Sequence, residues 1–340
     1  MKRAVILFNL GGPDKLENVE PFLFNLFNDP AIISIPSFFR YPLAKFISKR
    51  RTPIAKNIYK EIGNKSPILQ LTQEQAKSLE NNLLEKGDYK CFVVMRCWNP
   101  RASDVIKKVR EYNPEEIILL PLYPQYSAST SGSSITEWNE LCKKENYSVK
   151  TKTICCYPTE NNFIESHVNL IKKTLKTLKN NNFKLLFSAH GLPESKIKKG
   201  DPYQWHVEER VREIMSQLKN YNLDYIISYQ SRVGPMKWIE PSTNVEIIKY
   251  SKEKKGIVIV PVAFVSEHSE TLVELDIEYK KLAEKNGCSF YKRVPALGIE
   301  ENFIKGLSEL VLQQETRGNF VSSIMCPNKY VKCPCLGVRN

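Results

Sequence analysis

The residues with the clearest chemical potential lie in one short stretch that begins at His268. Glu270, Glu274 and Glu278 follow this histidine, and Asp276 lies between the last two. A spacing of four residues places the three glutamates on one face of an α-helix. Because like charges at this spacing cost about 0.2–0.5 kcal/mol per pair, the row is either a solvated acidic face or a functional one. Histidine with carboxylates suits a divalent cation such as Fe²⁺, and clustered acids also suit proton removal.

His190 is the second candidate, because it ends an apolar segment and enters a turn that contains glycine and proline. In parallel α/β sheets the functional groups gather at the carboxyl ends of the strands, and His190 has this position. A packing role is the alternative. Of the other histidines, His167 lies within a predicted amphipathic helix and His206 follows Trp205, so we expect both to be structural.

Three of the nine cysteines lie close together near the end of the sequence. Six residues separate Cys326 from Cys333, Cys335 follows two positions later, and Cys288 is the best upstream candidate for a fourth ligand. Four thiols of this kind suit zinc or an iron–sulfur cluster, and a thiol-bearing tail without a metal is the alternative. The odd number of cysteines argues against a disulfide framework and indicates a reducing compartment.

Several motifs that would indicate other chemistry are missing. The turn Gly11-Gly12-Pro13 follows a predicted strand, but the dinucleotide-binding pattern G-x-G-x-x-G and the phosphate loop G-K-[ST] are both absent. The nucleophile pattern G-x-S-x-G and the redox motif C-x-x-C are absent as well. The glycines therefore predict a tight turn rather than a phosphate cradle.

The composition is that of an ordinary globular protein. The 340 residues, 42% of them hydrophobic, predict about two domains. The net charge of +13 suits an anionic partner or a basic surface, and since no nucleic-acid motif occurs we expect no nucleic-acid partner. The longest apolar stretch, 256–265, is too short to span a membrane, and the stretch 4–8 is too short for a signal peptide. We expect a cytoplasmic protein, at most peripheral to a membrane.

Short apolar segments that alternate with amphipathic ones must position these residues. We predict strands at 4–10, 91–96, 116–122, 148–155, 185–189, 225–229, 256–261 and 290–294, with helices at 73–84, 163–178 and 207–218. The alternation predicts βαβ units and parallel sheets, hence an α/β protein with two doubly wound halves that divide near residues 157–159.

The stretch 32–47 does not follow this pattern. It is apolar and aromatic, contains Pro36 and Pro42, shows no clean period, and is followed by the basic residues 49–51. Such a stretch indicates either an exposed lip that meets an apolar ligand or a membrane surface, or an irregular loop that covers the core.

Taken together, these segments resemble the ferrochelatase family over almost the whole sequence. The matching stretches are residues 8–13, 49–53, 123–127, 188–193 with 200–203, 230–236 with Trp238, and 267–279. The resemblance implies an α/β fold of two Rossmann-like, chelatase-type lobes with parallel sheets and a porphyrin cleft between them. Residues 1–156 would form the N-terminal lobe with the apolar lip, 157–300 the C-terminal lobe with an acidic helix, and 301–340 a C-terminal helix and cysteine-containing tail.

The resemblance also implies an activity, the insertion of ferrous iron into protoporphyrin IX to form protohaem, the terminal step of haem biosynthesis. Chelatases that act on coproporphyrin or on another metal ion, and non-catalytic tetrapyrrole carriers, are the alternatives within this fold. Protoporphyrin IX and Fe²⁺ would be the partners. A homodimer and peripheral contact with the inner membrane are compatible with the sequence.

The resemblance further implies which residues form the site. His190 would be the catalytic histidine and Glu270 its partner at the metal site, with Glu274 and Glu278 as an acidic trail. We expect His190 and Glu270 to face each other across the ring from opposite lobes, one taking the pyrrole protons and the other holding the metal. The sequence does not decide which does which. The positions that match porphyrin-contacting residues are Leu10, Arg51, Tyr59, Arg96, Tyr123, Phe264 and His268.

Two positions depart from the family pattern. Cys97 stands where many relatives have an aromatic residue, and Ala128 stands where animal enzymes have a cluster cysteine. The tail instead resembles that of a bacterial subclass in which one upstream cysteine and a Cys-x6-Cys-x-Cys tail bind a [2Fe-2S] cluster. This resemblance implies Cys288, Cys326, Cys333 and Cys335 as the ligands.

Overall fold

Parallel strands alternate with helices along the chain, which confirms the predicted α/β class. The structure, a computed structural model, describes residues 1–336 except for residues 233, 235, 314, 315 and 317. Val233 and Pro235, from one of the family-matching stretches, and residues 337–340 of the predicted tail lie outside the described residues.

The elements have the following bounds within the described residues. The strands are β1 (Lys2–Asn9), β2 (Asp88–Met95), β3 (Glu116–Pro121), β4 (Lys150–Cys156), β5 (Phe183–His190), β6 (Tyr225–Gln230), β7 (Gly256–Pro261), β8 (Tyr291–Arg293) and β9 (Phe320–Ser322). The helices are α1 (Val19–Phe27), α2 (Ser37–Lys60), α3 (Ile68–Leu83), α4 (Ala102–Tyr112), α5 (Ser131–Lys144), α6 (Asn161–Leu175), α7 (Glu194–Lys198), α8 (Tyr203–Gln217), α9 (Thr243–Lys252), α10 (Lys280–Lys285) and α11 (Glu301–Leu312). A π-helix covers Glu270–Tyr279, and 3₁₀ turns cover Leu16–Asn18, Leu84–Lys86, Lys219–Tyr221 and Pro334–Leu336.

The chain divides into two units. The first contains Met1–Cys156 and Leu307–Ser322, and the second contains Tyr157–Gly306 and Ser323–Leu336. Residues 301–336, which we predict as a C-terminal helix and tail, are thus shared between the two units. Within the described residues, no helix combines the length and the apolar character that a membrane crossing requires.

The first unit is built on a parallel sheet with the strand order β2-β1-β3-β4-β9. Side chains from one face of β1 and β3 pack with those of α4 and α5, around the fully buried Trp138. The central strands are apolar on both faces, as expected for parallel strands that are covered on both sides. The predicted strands lie within three residues of the observed ones at each end, and the three-residue strand β9 was missed.

The second unit is built on a parallel sheet with the strand order β6-β5-β7-β8. Side chains of β5 and β7 that point to one face pack against α6 and α8. Those that point to the other face pack against α9, the π-helix and α10. Because all four strands run in the same direction, the carboxyl ends of β5, β6 and β7 lie at one edge of this sheet, where the functional candidates of this unit follow.

Two segments differ from the sequence predictions. The stretch 32–47, for which we predict either an exposed lip or an irregular loop, enters the continuous helix α2 at Ser37, and Pro42 and Pro53 both lie within that helix. The predicted α-helix of the acidic row is a π-helix, a rare form that occurs mainly at functional sites. Neither segment shows the period of an ordinary amphipathic helix, so the sequence pattern could not identify them.

Candidate active site

His190 and Glu270 form the centre of the site. His190 is the last residue of β5, and Glu270 begins the π-helix that follows β7. Nδ1 of His190 lies 2.8 Å from Oε2 of Glu270, and both side chains are half-buried, with exposed fractions of 39% and 25%. The expectation that these residues face each other from opposite lobes is wrong, because both belong to the second unit and are joined by this hydrogen bond.

Electrostatics make this contact an ion pair. Burial would lower the pKa of His190, but the carboxylate of Glu270 outweighs it and raises that pKa above the ordinary value. Burial would likewise raise the pKa of Glu270, but His190 and His268 outweigh it and hold that pKa well below the ordinary value. Each charge thus favours the ionised form of the other group, as in an ion pair.

His268 completes the surroundings of Glu270. Its Nδ1 lies 3.1 Å from the carbonyl oxygen of Ser266, which favours a proton on that nitrogen. Its Nε2 lies 3.8 Å from Oε1 of Glu270, and its ring lies against Phe264 with a centroid distance of 4.6 Å. Among the residues that we predict to contact porphyrin, Phe264 and His268 are thus brought together beside the His190–Glu270 pair.

A second set of polar groups holds Glu274. Oε1 of Glu274 accepts the backbone N–H of Ser231 at 3.0 Å and the Tyr279 hydroxyl at 2.9 Å. Oε2 accepts the amide of Gln230 at 3.0 Å and lies 2.5 Å from the Ser231 hydroxyl. Burial, reinforced by the charge of Glu270, raises the pKa of Glu274. Sequence reasoning assigned no role to Gln230, Ser231 or Tyr279.

The other acidic side chains of the row point elsewhere. Asp276 binds the guanidinium of Arg293 through both carboxylate oxygens, at 2.6 and 2.7 Å. Glu278 is exposed and has no hydrogen-bond partner among the residues that the structure describes. The π-helix explains this divergence, because its backbone hydrogen bonds span five residues and the fourfold spacing no longer follows the helix turn.

The remaining porphyrin candidates lie in the first unit. Tyr59 is buried in a cluster with Cys97, Leu10 packs against the same cluster, and the guanidinium of Arg51 lies 6.0 Å from the Phe27 ring centroid. Tyr59 and Leu10 thus share one cluster, and Arg51 lies beside Phe27, which packs against that cluster.

Arg96 is engaged by protein groups instead. Its guanidinium binds Asp29 and Glu137, each at 3.0 Å, and Ser133 at 2.7 Å. Burial raises the pKa of the neighbouring Tyr123. Arg51 is thus better placed than Arg96 to receive a ligand carboxylate.

The four predicted cluster cysteines all belong to the second unit, but they are not all brought together. The sulfur atoms of Cys333 and Cys335 are buried and lie within 4.8 Å of each other. The Cys326 sulfur lies 3.2 Å from Nε2 of His206, on helix α8. Cys288 packs beside α9 and α10, on the opposite face of the sheet from α8, and its thiol donates to the carbonyl of Phe290. Cys288 and Cys326 therefore lie on opposite faces of the sheet, and the described residues do not present the predicted four-ligand set.

Comparison with known proteins places this chain in a family. The family model for ferrochelatase matches residues 2–315. The chain is 64% identical to the ferrochelatase of Pelagibacter ubique, with 99% of both chains covered, and 50% identical to that of Rickettsia felis, with 98% of this chain and 97% of the relative covered.

Among solved structures, SirB from Bacillus subtilis with Fe³⁺ matches 92% of this chain and 95% of its own, with a TM-score of 0.51 and 12% sequence identity. At this identity the likeness concerns the fold alone, and it agrees with the two-sheet α/β architecture. The match of the family model and the identity to curated relatives together show that the chain belongs to the ferrochelatase family.

Proposed function

We propose that this chain inserts Fe²⁺ into protoporphyrin IX to form protohaem, and that His190 and Glu270 are the reacting pair. The observation that carries the assignment is the 2.8 Å hydrogen bond between Nδ1 of His190 and Oε2 of Glu270 at the carboxyl edge of the sheet. The reaction replaces two pyrrole N–H protons by one Fe²⁺ ion, so it needs a base for the protons and a donor set for the metal.

His190 is the better base of the two. Because Glu270 occupies Nδ1, the neutral imidazole presents its lone pair at Nε2, where it can accept a pyrrole proton. The carboxylate of Glu270 then stabilises the imidazolium that forms. Since Glu270 raises the pKa of His190, the neutral base form of His190 is reached at a higher pH, and the rate should rise with pH through an ionisation above the ordinary histidine value of about 6.5.

Glu270 is correspondingly the better metal donor. Its Oε2 is occupied by His190 and Ser231, whereas Oε1 faces Nε2 of His268 at 3.8 Å. An imidazole nitrogen and a carboxylate oxygen form a suitable donor set for ferrous iron. The exposed Glu278 would meet the hydrated ion from solvent, and Arg51 would pair with a propionate group of the porphyrin.

The substitution His190→Ala tests this assignment. Loss of a general base costs about 10²–10⁴-fold, so we expect protohaem formation from protoporphyrin IX and Fe²⁺ under anaerobic conditions to fall by at least 100-fold. Binding of protoporphyrin IX, measured by fluorescence quenching, should persist. His167→Asn, which alters a buried histidine outside the site, is the control for folding. Turnover of His190→Ala at the wild-type rate would contradict the assignment.

The same assay separates the alternatives within the fold. A carrier would bind the porphyrin but form no protohaem in the wild-type chain. A chelatase for another substrate would act faster on coproporphyrin, or on protoporphyrin IX with Co²⁺. We expect the highest rate with protoporphyrin IX and Fe²⁺.

We also propose that the tail thiols bind an iron–sulfur cluster. The support is the burial and proximity of Cys333 and Cys335, together with the position of Cys326 beside His206 on α8. Anaerobically purified protein should contain iron and sulfide and absorb in the visible range, and Cys333→Ser should lose both. Cys288→Ser is the matched control, because Cys288 lies on the opposite face of the sheet from α8, and it should retain the cluster. Colourless wild-type protein without sulfide would refute the proposal.

Helix α2 supports a further part of the predicted partners, contact with a membrane surface. Phe38 is 79% exposed, and Phe39, Tyr41 and Phe46 are exposed as well, next to the exposed basic residues Lys45, Lys49 and Arg50. We propose that this apolar and basic surface binds anionic bilayers. Vesicles with anionic phosphatidylglycerol should bind the protein more strongly than neutral phosphatidylcholine vesicles, and Phe38→Glu should abolish the binding. Equal sedimentation of wild type and variant would refute it.

A further inference from the structure

Ser231 has a backbone conformation that serine rarely adopts. It follows Gln230, the last residue of β6, and its φ of +62° lies in the left-handed region. Glycine is the residue favoured there, because a side chain crowds the backbone. A residue in a strained backbone conformation persists where the surrounding contacts stabilise it, and such residues cluster at functional sites. A serine at this position therefore indicates a role for its hydroxyl group.

The contacts of Ser231 show where that hydroxyl is used. The hydroxyl oxygen lies 3.0 Å from Oε2 of Glu270 and 2.5 Å from Oε2 of Glu274, and the backbone N–H donates to Oε1 of Glu274 at 3.0 Å. Oε2 of Glu270 is the same oxygen that binds His190. Ser231 therefore contacts the reactive pair on one side and a second carboxylate on the other.

A buried chain of polar groups fixes this arrangement from behind. The Ser188 hydroxyl donates to Oε1 of Gln230 at 2.7 Å, which orients the Gln230 amide so that Nε2 donates to Glu274 at 3.0 Å. The Ser188 hydroxyl also lies 3.1 Å from the Thr243 hydroxyl. Ser188, Gln230 and Thr243 are all buried. Residues His190 and Gln230 are register partners at the ends of adjacent strands, so the sheet itself sets their spacing.

The surroundings of Glu274 are those of an anchoring group. Its two oxygens have about four lone-pair directions, and four protein groups contact them: the Ser231 N–H and hydroxyl, the Gln230 amide and the Tyr279 hydroxyl. A metal ion could bind Glu274 only after displacing some of these contacts. This carboxylate is therefore engaged in holding the π-helix to the end of β6.

We propose that Ser231 is a positioning residue of the chelation reaction: its backbone N–H donates to Glu274, and its hydroxyl donates its single hydrogen to Oε2 of Glu270 and so holds that oxygen against His190. Glu274 thereby fastens the site and does not carry the iron ion. Because Ser231 acts through Glu270, its role rests on the proposed function of the His190–Glu270 pair. The Ser231 hydroxyl thus keeps Oε2 of Glu270 hydrogen-bonded to the His190 imidazole, and Oε1 of Glu270 remains directed toward His268.

The substitution Ser231→Gly tests the proposal, because it removes the hydroxyl while giving the backbone its preferred residue, so the fold is retained. Loss of a group that orients a metal-site ligand costs about 10–100-fold, so we expect kcat to fall by that factor. The dissociation constant for protoporphyrin IX should not change. Asn222→Gly is the matched control, because Asn222 also has a positive φ, of 47°, and lies in the turn before β6. It should keep the wild-type kcat.

Glu274→Gln separates anchoring from iron transport. If Glu274 acts through Ser231, its substitution lowers kcat, leaves KM for Fe²⁺ unchanged, and adds little to the effect of Ser231→Gly in the double variant. A raised KM for Fe²⁺, or effects that multiply in the double variant, would overturn the anchoring role.

Three further outcomes are decisive. A wild-type kcat in Ser231→Gly together with an inactive His190→Ala would refute the role of Ser231 alone. An active His190→Ala would refute the proposed function itself. A loss of kcat that follows the folded fraction, measured by circular dichroism, would make the hydroxyl purely structural and would also refute the proposal.

Discussion

Replacement of Arg293 should show how strongly the start of the π-helix is held. The Arg293 guanidinium donates to both oxygens of Asp276, at 2.6 and 2.7 Å, and to Oε1 of Glu267 at 2.8 Å. Asp276 lies within the π-helix, and Glu267 lies three residues before Glu270. Arg293 therefore fixes the chain on both sides of Glu270.

The expected effect of Arg293→Met follows from burial. The Arg293 side chain is only 12% exposed, and removing one partner of a buried ion pair costs about 3–5 kcal/mol because the other charge is left uncompensated. Asp276 is 36% exposed and keeps part of its hydration, so we expect the lower end, about 3 kcal/mol, of the free energy of unfolding. Arg293→Lys keeps the charge but not the two-pronged geometry, and it should cost about 1–2 kcal/mol.

The pH dependence gives a second test. Burial would raise the pKa of Glu267, but Arg293 outweighs it and lowers that pKa. The resulting stabilisation is present above the ordinary glutamate value of about 4.3 and is lost as the pH falls through the lowered value of the folded state. The difference between wild type and Arg293→Met should therefore shrink on acidification.

Urea unfolding followed by circular dichroism, at neutral and at acidic pH, measures the free energy of unfolding and its dependence on pH. A free-energy difference below about 0.5 kcal/mol at neutral pH is typical of an ordinary surface substitution. It would refute the stabilising role of the contacts that Arg293 makes with Asp276 and Glu267. A difference that grows as the pH falls would refute the electrostatic reasoning behind it.

Three further predictions concern single contacts. Glu270→Gln should lower the pKa of His190, since the carboxylate that raises it is lost while burial remains, and an NMR titration that shows no downward shift would contradict the ion pair. Gly191→Ala should lower stability and protohaem formation together, because the added Cβ would lie 2.9 Å from the Gln230 carbonyl oxygen; unchanged thermal unfolding would show that the β5 and β6 ends can adjust. Glu160→Ala should cost about 1 kcal/mol in urea unfolding, because the Glu160 carboxylate accepts two N–H groups of the first turn of α6, and the activity should stay normal. An equal loss of activity would show that this cap matters beyond the helix.

The strands were the most predictable part of the fold. Buried parallel strands are apolar on both faces, so segments such as 116–122 and 256–261 stand out from the amphipathic helices beside them. Strand β9 was missed because its two apolar residues, Phe320 and Val321, stand between the polar residues Asn319 and Ser322 and form no apolar run. Helix α2 was missed because its exposed aromatic residues and two prolines remove the amphipathic period.

Part of the candidate site could be predicted from the sequence, but its geometry could not. The rule that functional groups follow strand ends selected His190 and the loop before Glu270, but it could not show that both belong to one sheet. The same rule applied to the end of β6 would have selected Gln230 and Ser231. The positive φ of Ser231 and the π-helix depend on tertiary contacts, and no local sequence pattern encodes them.

The division of the chain into units limits how it can be cut. A fragment of residues 1–156 would end at β4 and lack its edge partner β9, leaving an open strand edge exposed to aggregation. A fragment of residues 157–306 would lack Cys326, which contacts His206, and Tyr330, whose ring stacks on Trp205. During synthesis the first sheet is incomplete until β9 has left the ribosome, so a chain truncated before residue 320 should be degraded rather than retained as a folded half.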